Sequence, residues 1–221
     1  MSTSTAPEFH PVLKDLPRVE ISAGTTLQLM VVAADGYHCA GIDLVSGALV
    51  RAWSPVASES RPRPYDVVEV TLDGDPDTVP DPAQPEALAL TEAPRVVDHI
   101  TGRRCERMLR PLLHPHGQPL LGISATAIPF WERRGDHPSI AVVEPEGKVT
   151  FRRAGPYLAC HFEWQGHERE FPCLDRAVAG HMDRHGRALM TADKGDRLVV
   201  ALTAPIDGRC HKVVETLLRR P

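Results

Sequence analysis

Two segments of the sequence mix arginine with aromatic side chains. The first falls in the first third of the chain and carries Arg51, Trp53, Arg61, Arg63 and Tyr65. The second follows residue 150 and carries Phe151, Arg152, Arg153, Tyr157, His161 and Trp164. Bases of single strands stack on aromatic and guanidinium planes, while positive charge follows the phosphates. Both segments therefore predict ligand-binding surfaces. The alternative is that Trp53, Phe151 and Trp164 fill the core and the arginines line a solvated rim.

Cysteine and histidine occur together near both ends of the chain, as His38-Cys39 and Cys210-His211. These residue types bind zinc in tetrahedral sets. Their spacing matches no zinc motif, and burial as reduced thiols is the simpler explanation of the cysteines. We therefore predict neither a metal site nor a cofactor, while metal binding by this set stays an open alternative.

Motifs that mark common enzyme active sites are absent. The sequence has no nucleophile elbow, no phosphate-binding GxxxxGK[ST] loop and no GxGxxG dinucleotide loop. His181 and His185 lie four residues apart, as in zinc peptidases, but Met182 stands where those enzymes carry glutamate. No catalytic residue is therefore predicted. The alternative is an enzyme that acts on a small polar substrate through carboxylates such as Asp43 and Asp66, or through the Cys/His set.

The composition is that of an ordinary globular chain with little aromatic content. Its 221 residues are 42% hydrophobic, 24% charged and 5% aromatic, and the 21 prolines favour short strands over long helices. The formal net charge of −4 excludes a bulk electrostatic attraction for nucleic acid. Binding of nucleic acid would therefore need a local basic patch.

The cysteines and the N-terminal segment bear on the cellular compartment. The five cysteines include no CxxC pair, which is typical of reduced thiols. The segment MSTSTAPEFHPVLKDLP has neither the basic nor the apolar region of a signal peptide. No apolar run is long enough to cross a bilayer. We therefore expect a cytoplasmic protein with no membrane partner.

Short apolar runs joined by tight turns dominate the pattern. TLQLMVVAAD, HCAGIDL and ALVRAW are separated by Asp-Gly and Ser-Gly turns, which predicts a three-stranded meander. In the first of these strands, Leu29, Val31 and Ala33 should share one face. In the second half, YLACHFEW and HEREFPCL flank Gln165-Gly166, which predicts a hairpin with cysteine and phenylalanine on its inward face.

Helical spacing is confined to two stretches. Residues 94–113 predict a helix that bridges the two halves, with a break at Thr101-Gly102. Residues 175–190 predict a short helix with Asp175 as its N-cap. Because strands and helices do not alternate regularly, the pattern indicates two small β modules rather than a parallel α/β sheet.

Several segments resemble the bacterial dual-OB-domain family, in which two OB-like barrels lie in tandem. The similar segments are HCAGIDLVSGALVRAWS, YDVVEV, AQPEALAL, RRAGPYLACHFEWQGHEREFPCLD and LVVALTAPIDGRCHKVVETLL. The resemblance implies the fold and the binding of nucleic acid or a nucleotide. A site shared by Arg51 and the Gln84-Pro85-Glu86 loop is a hypothesis that the departure at Ala87 counts against. This chain departs from the family at Ala87, where asparagine is usual, and at Ala52 and Trp53.

The sequence thus predicts a mainly β protein of two tandem OB-like small barrels with a few short helices. We divide it into a flexible N-terminal arm at 1–18, a first barrel with the helical bridge at 19–115, and a second barrel at 116–221. The boundary falls in the HPHGQP turn.

The predicted function is the binding of single-stranded nucleic acid or a nucleotide-like ligand between the two barrels. Gln84, Glu86, Arg209 and His211 complete the predicted ligand-binding residues. A further hypothesis is a subunit that works through a protein partner, for which the acidic, proline-rich segment after Leu72 is suited.

Overall fold

The structure is a computed structural model that describes residues 24–57, 61–73, 84, 86–133 and 138–221. The arm predicted at 1–18 lies outside the described residues, as does most of the acidic, proline-rich segment. Strands dominate the described chain, and its helices are few and short. The prediction of a mainly β protein is confirmed.

The first half of the chain forms one six-stranded sheet that curls on itself. Its strands are β1 (Thr26–Ala34), β2 (His38–Asp43), β3 (Leu49–Trp53), β4 (Asp66–Thr71), β5 (Ala87–Ala89) and β6 (Arg95–His99). They follow the order β5-β3-β2-β1-β4-β6, and only the β3–β5 pairing is parallel. A bridge between Leu72, after β4, and Leu90, after β5, brings the two sides together. Strands β1 to β5 therefore close into a barrel, and β6 is added beside β4.

The second half forms two four-stranded sheets. Its strands are β7 (Ala127–Pro129), β8 (Ile140–Val143), β9 (Thr150–Ala154), β10 (Tyr157–Trp164), β11 (His167–Pro172), β12 (Leu189–Thr191), β13 (Arg197–Leu202) and β14 (Arg209–Leu218). The sheet orders are β11-β10-β9-β12 and β7-β14-β13-β8. Thr150 pairs with Thr191 and Val143 pairs with Leu198, which is one continuous register. Strands β8 and β9 therefore act as one bent strand, with β12 and β13 as its partner.

A parallel bridge between Cys173, after β11, and Val214 of β14 closes the second barrel. The five strands are β1 to β5 in the first barrel, and β8/β9, β10, β11, β12/β13 and β14 in the second. In each barrel the first three strands form an antiparallel meander, the third strand lies parallel to the fifth, and the fourth lies between the fifth and the first. This is the five-stranded Greek-key barrel of the OB-fold. Among the described residues, a helix between the third and fourth strands occurs in the second barrel and not in the first. The prediction of two tandem OB-like barrels is confirmed.

The described part of the chain has two α-helices, α1 (Arg103–Leu109) and α2 (Arg176–Arg184). Helix α2 begins as predicted, because the Asp175 side chain accepts hydrogen bonds from the backbone amides of Ala177 at 2.7 Å and Val178 at 3.0 Å. Neither these helices nor the shorter helical turns of the described chain have the length and apolar character needed to span a membrane.

The helix predicted at 94–113 is wrong over its first part. Residues Arg95–His99 form β6, which pairs with β4 at the edge of the first sheet. The β-branched Val96 and Val97 suit an extended strand, and an edge was available for pairing. Gly102, with a φ of 61°, separates this strand from α1. The helical bridge is thus reduced to α1 and one 3-10 turn at Arg110–Leu112.

Three hydrophobic clusters of described residues hold the fold together. The interior of the first barrel contains Leu29, Val31, Cys39, Val50, Val68 and Leu88. The interior of the second barrel contains Phe151, Cys160, Phe162, Trp164, Phe171 and Cys173. The inward face predicted for the β10–β11 hairpin is thus confirmed. The third cluster lies between the barrels and joins residues of both, including Met30, Val32, Ile42, Val142, Val199 and Val213.

A β-bulge in β1 changes which side chains face the interior. Leu29 and Val31 face into the first barrel as predicted, but Ala33 belongs to the cluster between the barrels. The pairing of β1 with β2 shifts between Val31 and Ala33. Because the extra residue of a bulge reverses the alternation of side chains, the prediction of one shared face is wrong at Ala33.

Gly41 tests the close packing of β1 on β2. A Cβ at this position would come within 2.8 Å of the Met30 carbonyl oxygen and 3.0 Å of the Leu29 Cβ. We expect Gly41→Ala to lower the free energy of unfolding by about 1–3 kcal/mol, measured by urea denaturation. Gly36→Ala, in open space in the β1–β2 turn, should change it by less than about 0.5 kcal/mol. Equal effects of the two substitutions would contradict this packing.

Candidate functional site

Arg51 lies at the centre of a polar network between the two barrels. The residue is on β3 and only 4% exposed. Its Nη2 donates to Glu215 Oε1 at 2.6 Å, and its Nη1 donates to Ser139 Oγ at 3.1 Å. Nη1 also donates to the carbonyl oxygen of Leu202 at 3.4 Å. Glu215, Ser139 and Leu202 all belong to the second half of the chain, so one buried guanidinium joins three of its segments.

His38 and Asp35 extend this ion pair toward solvent. His38 Nε2 lies 3.5 Å from Glu215 Oε1, and His38 Nδ1 lies 2.8 Å from Asp35 Oδ1. Burial opposes charge on the imidazole, yet its hydrogen bonds with Asp35 and Glu215 raise the pKa of His38 to about 9. Burial likewise opposes charge on Glu215, but Arg51 and His38 hold the pKa of that carboxyl below its usual range. Near neutral pH the four charges therefore alternate in sign along the network.

The predicted Gln84-Pro85-Glu86 loop contributes two residues to the same network, whereas Pro85 lies outside the described residues. Gln84 Nε2 donates to the Leu202 carbonyl oxygen at 3.3 Å. The Glu86 carboxyl group accepts from the backbone N–H of Ser139 at 3.0 and 3.1 Å and from the Ser139 hydroxyl. Burial raises the pKa of Glu86, which favours its neutral form. The structure thus brings Arg51, Gln84 and Glu86 together, with the second barrel as their partner.

This network and the apolar cluster beside it cover the outer surface of β2 and β3. Ala40, Ile42 and Leu49 lie in that cluster with Val199 and Val213 of the second barrel. OB-folds commonly bind ligands on this surface of their second and third strands. In this chain the second barrel occupies the surface, so the cleft predicted between the barrels is a packed interface.

The other members of the first arginine–aromatic segment separate from Arg51. Trp53 is 40% exposed at the end of β3, and Arg61 and Arg63 are exposed in the segment that follows. Tyr65 is buried, and its hydroxyl donates to the carbonyl oxygen of Arg219 at 2.5 Å. Of this segment, Trp53, Arg61 and Arg63 face solvent.

The second arginine–aromatic segment divides between the core and the surface. Phe151 and Trp164 are buried in the second barrel, as the alternative interpretation of these residues expects. Arg153 pairs with Asp183 of α2. Tyr157 is 72% exposed at the start of β10.

Arg152 and His161 lie on the outer face of the second barrel, where acidic residues outnumber them. His161 Nε2 is 2.9 Å from Glu170 Oε2, and an Arg152 nitrogen is 3.9 Å from the same oxygen. Glu163 of β10 and Glu168 of β11 lie directly opposite each other in the pairing of these two strands. Because carboxylates repel phosphate, this face is unsuited to a nucleic-acid backbone.

The cysteines and histidines near the chain ends do not gather. Cys39 is buried in the core of the first barrel and Cys210 in that of the second. His38 belongs to the ionic network, and His211 is half-buried beside the loop after β13. Across the described ranges, no three His, Cys, Asp or Glu side chains are placed to hold a metal ion. No disulfide joins the five cysteines, all of which lie in described segments.

The two carboxylates of the enzyme hypothesis stabilise local turns. Asp43 accepts hydrogen bonds from the backbone N–H of Ser46 at 2.8 Å and from its hydroxyl at 2.6 Å. Asp66 accepts from the backbone N–H of Arg63 at 2.8 Å and lies 2.9 Å from His99 Nδ1. Strand β1 separates the two, because β2 and β4 pair with its opposite edges.

An exposed aromatic pair that the sequence analysis missed lies beside Arg209. Phe130 and Trp131 are 47% and 68% exposed, and their ring centroids are 5.4 Å apart in an edge-to-face arrangement. The Phe130 N–H donates to the carbonyl oxygen of Gly208 at 3.0 Å, and a Cβ on Gly208 would lie 3.4 Å from the Trp131 ring. We call this surface the aromatic patch and define it as Phe130, Trp131, Ile206, Gly208 and Arg209.

Two elements of the second barrel build the aromatic patch. Strand β7 pairs with the start of β14, where Pro129 faces Arg209. The loop of residues 203–208 joins β13 to β14, and Ile206 and Arg209 close it with two backbone hydrogen bonds of 2.8 and 3.0 Å. The patch therefore lies on the loop between the fourth and fifth strands, one of the loops that OB-folds use for ligands. Phe130 and Trp131 themselves lie in a 3-10 turn at Phe130–Glu132, directly after β7, and both rings are exposed there. The available sequence signal was the pair of adjacent aromatic residues.

Comparisons with known proteins found weak similarity, to solved structures alone. No protein-family model matches the sequence, and no curated protein matches it. Similar solved structures include the tetrameric p202 HIN2, with 9% identity and a TM-score of 0.31, covering 93% of this chain and 100% of that chain. Another is the p204 HINb domain, with 12% identity and a TM-score of 0.35, covering 90% of this chain and 95% of that chain. The assignment of the OB-fold rests on the strand pairings in this chain.

Removing Arg51 tests the link between the barrels. We expect Arg51→Met to lower the free energy of unfolding by about 3–5 kcal/mol in urea denaturation, because it leaves the buried Glu215 carboxylate without its main partner. The double variant Arg51→Met/Glu215→Leu should recover most of this loss. A single variant within about 0.5 kcal/mol of the wild type would show that the ion pair does not hold the interface.

The pH dependence of stability tests the charge on His38. Its pKa is raised from 6.5 to about 9, so its contribution is complete below its usual pKa and is lost as the pH rises through about 9. Asp35 and Glu215 have lowered pKa values, so their contributions disappear as the pH falls below their usual range. We therefore expect urea-unfolding free energies to fall from about pH 6.5 to about pH 9.5. The His38→Gln variant should show a flatter curve, and an unchanged slope would contradict this assignment.

Proposed function

We propose that this protein is a two-barrel OB-fold module that binds single-stranded nucleic acid through the aromatic patch. The supporting observation is the exposed Phe130–Trp131 pair beside Arg209, on the loop between the fourth and fifth strands of the second barrel. Large exposed apolar side chains that cluster on a protein surface mark binding sites. In the described fold, the rings of Phe130 and Trp131 stay accessible to solvent.

Base stacking supplies the main attraction in this proposal. A base that stacks on an aromatic side chain contributes about 1–3 kcal/mol, whatever the sequence of the strand. Arg209 is exposed, and its guanidinium has no hydrogen-bond or ion-pair partner in the described part of the chain. It can therefore contact a phosphate or stack beside the aromatic rings.

The charge balance limits how much the phosphates can add at this patch. The chain has a formal net charge of −4, and Glu132 and Asp207 are exposed on the same two loops. Each phosphate contact of a single strand lowers the slope of log K against log salt by about 0.7. A short strand that contacts only this patch, with Arg209 as its main cation, should therefore give a shallow slope of about −1.

The sequence resemblance supports the same class of ligand. Similarity to the bacterial dual-OB-domain family favours nucleic acid or a nucleotide, and a single nucleotide would use the aromatic patch with only one base. The thiols are buried and form no disulfides, which supports the proposed cytoplasmic location. The proposal differs from the sequence-based hypothesis in its location, because the patch lies on the second barrel rather than between the barrels.

Trp131 provides the direct test. Fluorescence anisotropy of a labelled oligo-dT of about 15 nucleotides should show binding at about 50 mM salt. We expect Trp131→Ala to weaken this binding roughly 5- to 100-fold, because it removes a stacking surface. The side chain is exposed, so circular dichroism and the urea midpoint should stay unchanged.

Trp53→Ala is the matched control, since it also removes a half-exposed tryptophan and lies on the first barrel. We expect this variant to bind the oligonucleotide like the wild type. Loss of binding in Trp53→Ala with normal binding in Trp131→Ala would move the site to the first arginine–aromatic segment. Absence of any binding by the wild type at about 50 mM salt would overturn the nucleic-acid proposal.

A further inference from the structure

A cationic surface lies at the C-terminal end of α2. We call it the α2 surface and define it as His181, Arg184, His185, Arg187 and Arg219. The rings of His181 and His185 have centroids 4.5 Å apart, because residues four apart share a helix face. Partial burial and the positive charges of the other four members lower the pKa of His181. The other four members therefore lie within electrostatic reach of His181.

The nearby carboxylates already have partners. Asp183 pairs with Arg153 of β9. Asp193 and Asp196 lie 3.3 and 3.0 Å from an Arg219 nitrogen. Three exposed members of the α2 surface have no carboxylate partner among the described residues: Arg184, His185 and Arg187. This local excess of positive charge stands out in a chain with a formal net charge of −4.

The dipole of α2 explains only part of this charge. Cations near the C-terminus of a helix are favourable, which suits Arg184 and His185. Arg187 lies beyond the helix, and Arg219 comes from the end of β14. The ion pairs with Asp193 and Asp196 account for the position of Arg219. Neither these pairs nor the helix dipole accounts for the exposed Arg187 beyond the end of α2.

We propose that the α2 surface binds phosphates of the same single strand whose bases stack on the aromatic patch. This inference rests on the proposed function, since it extends that site to a second contact. The two surfaces lie at opposite ends of β14, where Arg209 is the first residue and Arg219 follows the last. The ten-residue strand spans about 30 Å. A strand of about 15 nucleotides reaches both surfaces, whereas one of about 4 nucleotides reaches only one.

The test removes charge from the α2 surface and compares two oligonucleotide lengths. In the variant Arg184→Gln/Arg187→Gln, we expect the slope of log K against log salt to become shallower by about 1 for oligo-dT of about 15 nucleotides. Affinity for that strand at about 50 mM salt should fall roughly tenfold, and affinity for inorganic polyphosphate should also fall. Binding of the oligonucleotide of about 4 nucleotides should be unchanged, since it uses the aromatic patch.

The matched control is Arg103→Gln/Arg104→Gln, which removes two exposed arginines from α1 and leaves the same net charge. An equal loss in both double variants would overturn the inference, because it would reflect total charge alone. An unchanged salt slope in Arg184→Gln/Arg187→Gln would also overturn the inference. If Trp131→Ala still weakens binding in that case, the proposed function remains intact. If polyphosphate binding depends on Arg184 and Arg187 but no variant binds oligo-dT, the proposed function fails and the phosphate chemistry of the α2 surface stands.

Discussion

A buried guanidinium at the contact between the two barrels constrains how they sit against each other. Arg51 is on the outer surface of the first barrel and almost completely buried, and removing an ion from water costs several kcal/mol unless its bonds are replaced. The replacements are Glu215, Ser139 and the Leu202 carbonyl, which reach the guanidinium from three segments of the second half. Few relative positions of the barrels satisfy all three. The apolar cluster around this network supplies burial, while the directional bonds select one arrangement.

This arrangement makes the two barrels unequal as binding modules. The surface of β2 and β3, where an isolated OB-fold would bind a ligand, is the interface with the second barrel. The corresponding outer face of the second barrel carries Glu163, Glu168 and Glu170, which disfavours phosphate. The surfaces left for an anionic ligand are at the ends of the second barrel. One end has the aromatic rings and Arg209, and the other has the cations around α2.

Local chemistry explains which parts of the fold were predictable. Asp175 caps α2 because its carboxylate reaches amides two and three residues ahead. Gln165 and Gly166 form the β10–β11 turn with φ values of 55° and 69°, which glycine adopts without strain. Both depend on neighbours in sequence. The failures depend on strands far away in sequence: β6 replaces helix because β4 offers an edge, and Ala33 turns outward because β1 and β2 shift register.

By itself, the sequence determined the two β-rich halves and the inward face of the β10–β11 hairpin, and it raised the association of Arg51 with the Gln84–Glu86 loop as a hypothesis. The alternation of apolar and polar side chains and the residue preferences of turns depend on a few neighbouring residues. They can therefore be predicted without knowledge of the tertiary structure. Only the tertiary structure decided that Arg51 faces a second barrel and that Trp131 lies exposed over Gly208. It also decided that Arg219, after the end of β14, lies within electrostatic reach of His181 on α2. A side chain on the outer surface of a barrel is either exposed to a ligand or buried by another segment. Which of the two occurs depends on how segments distant in sequence pack together.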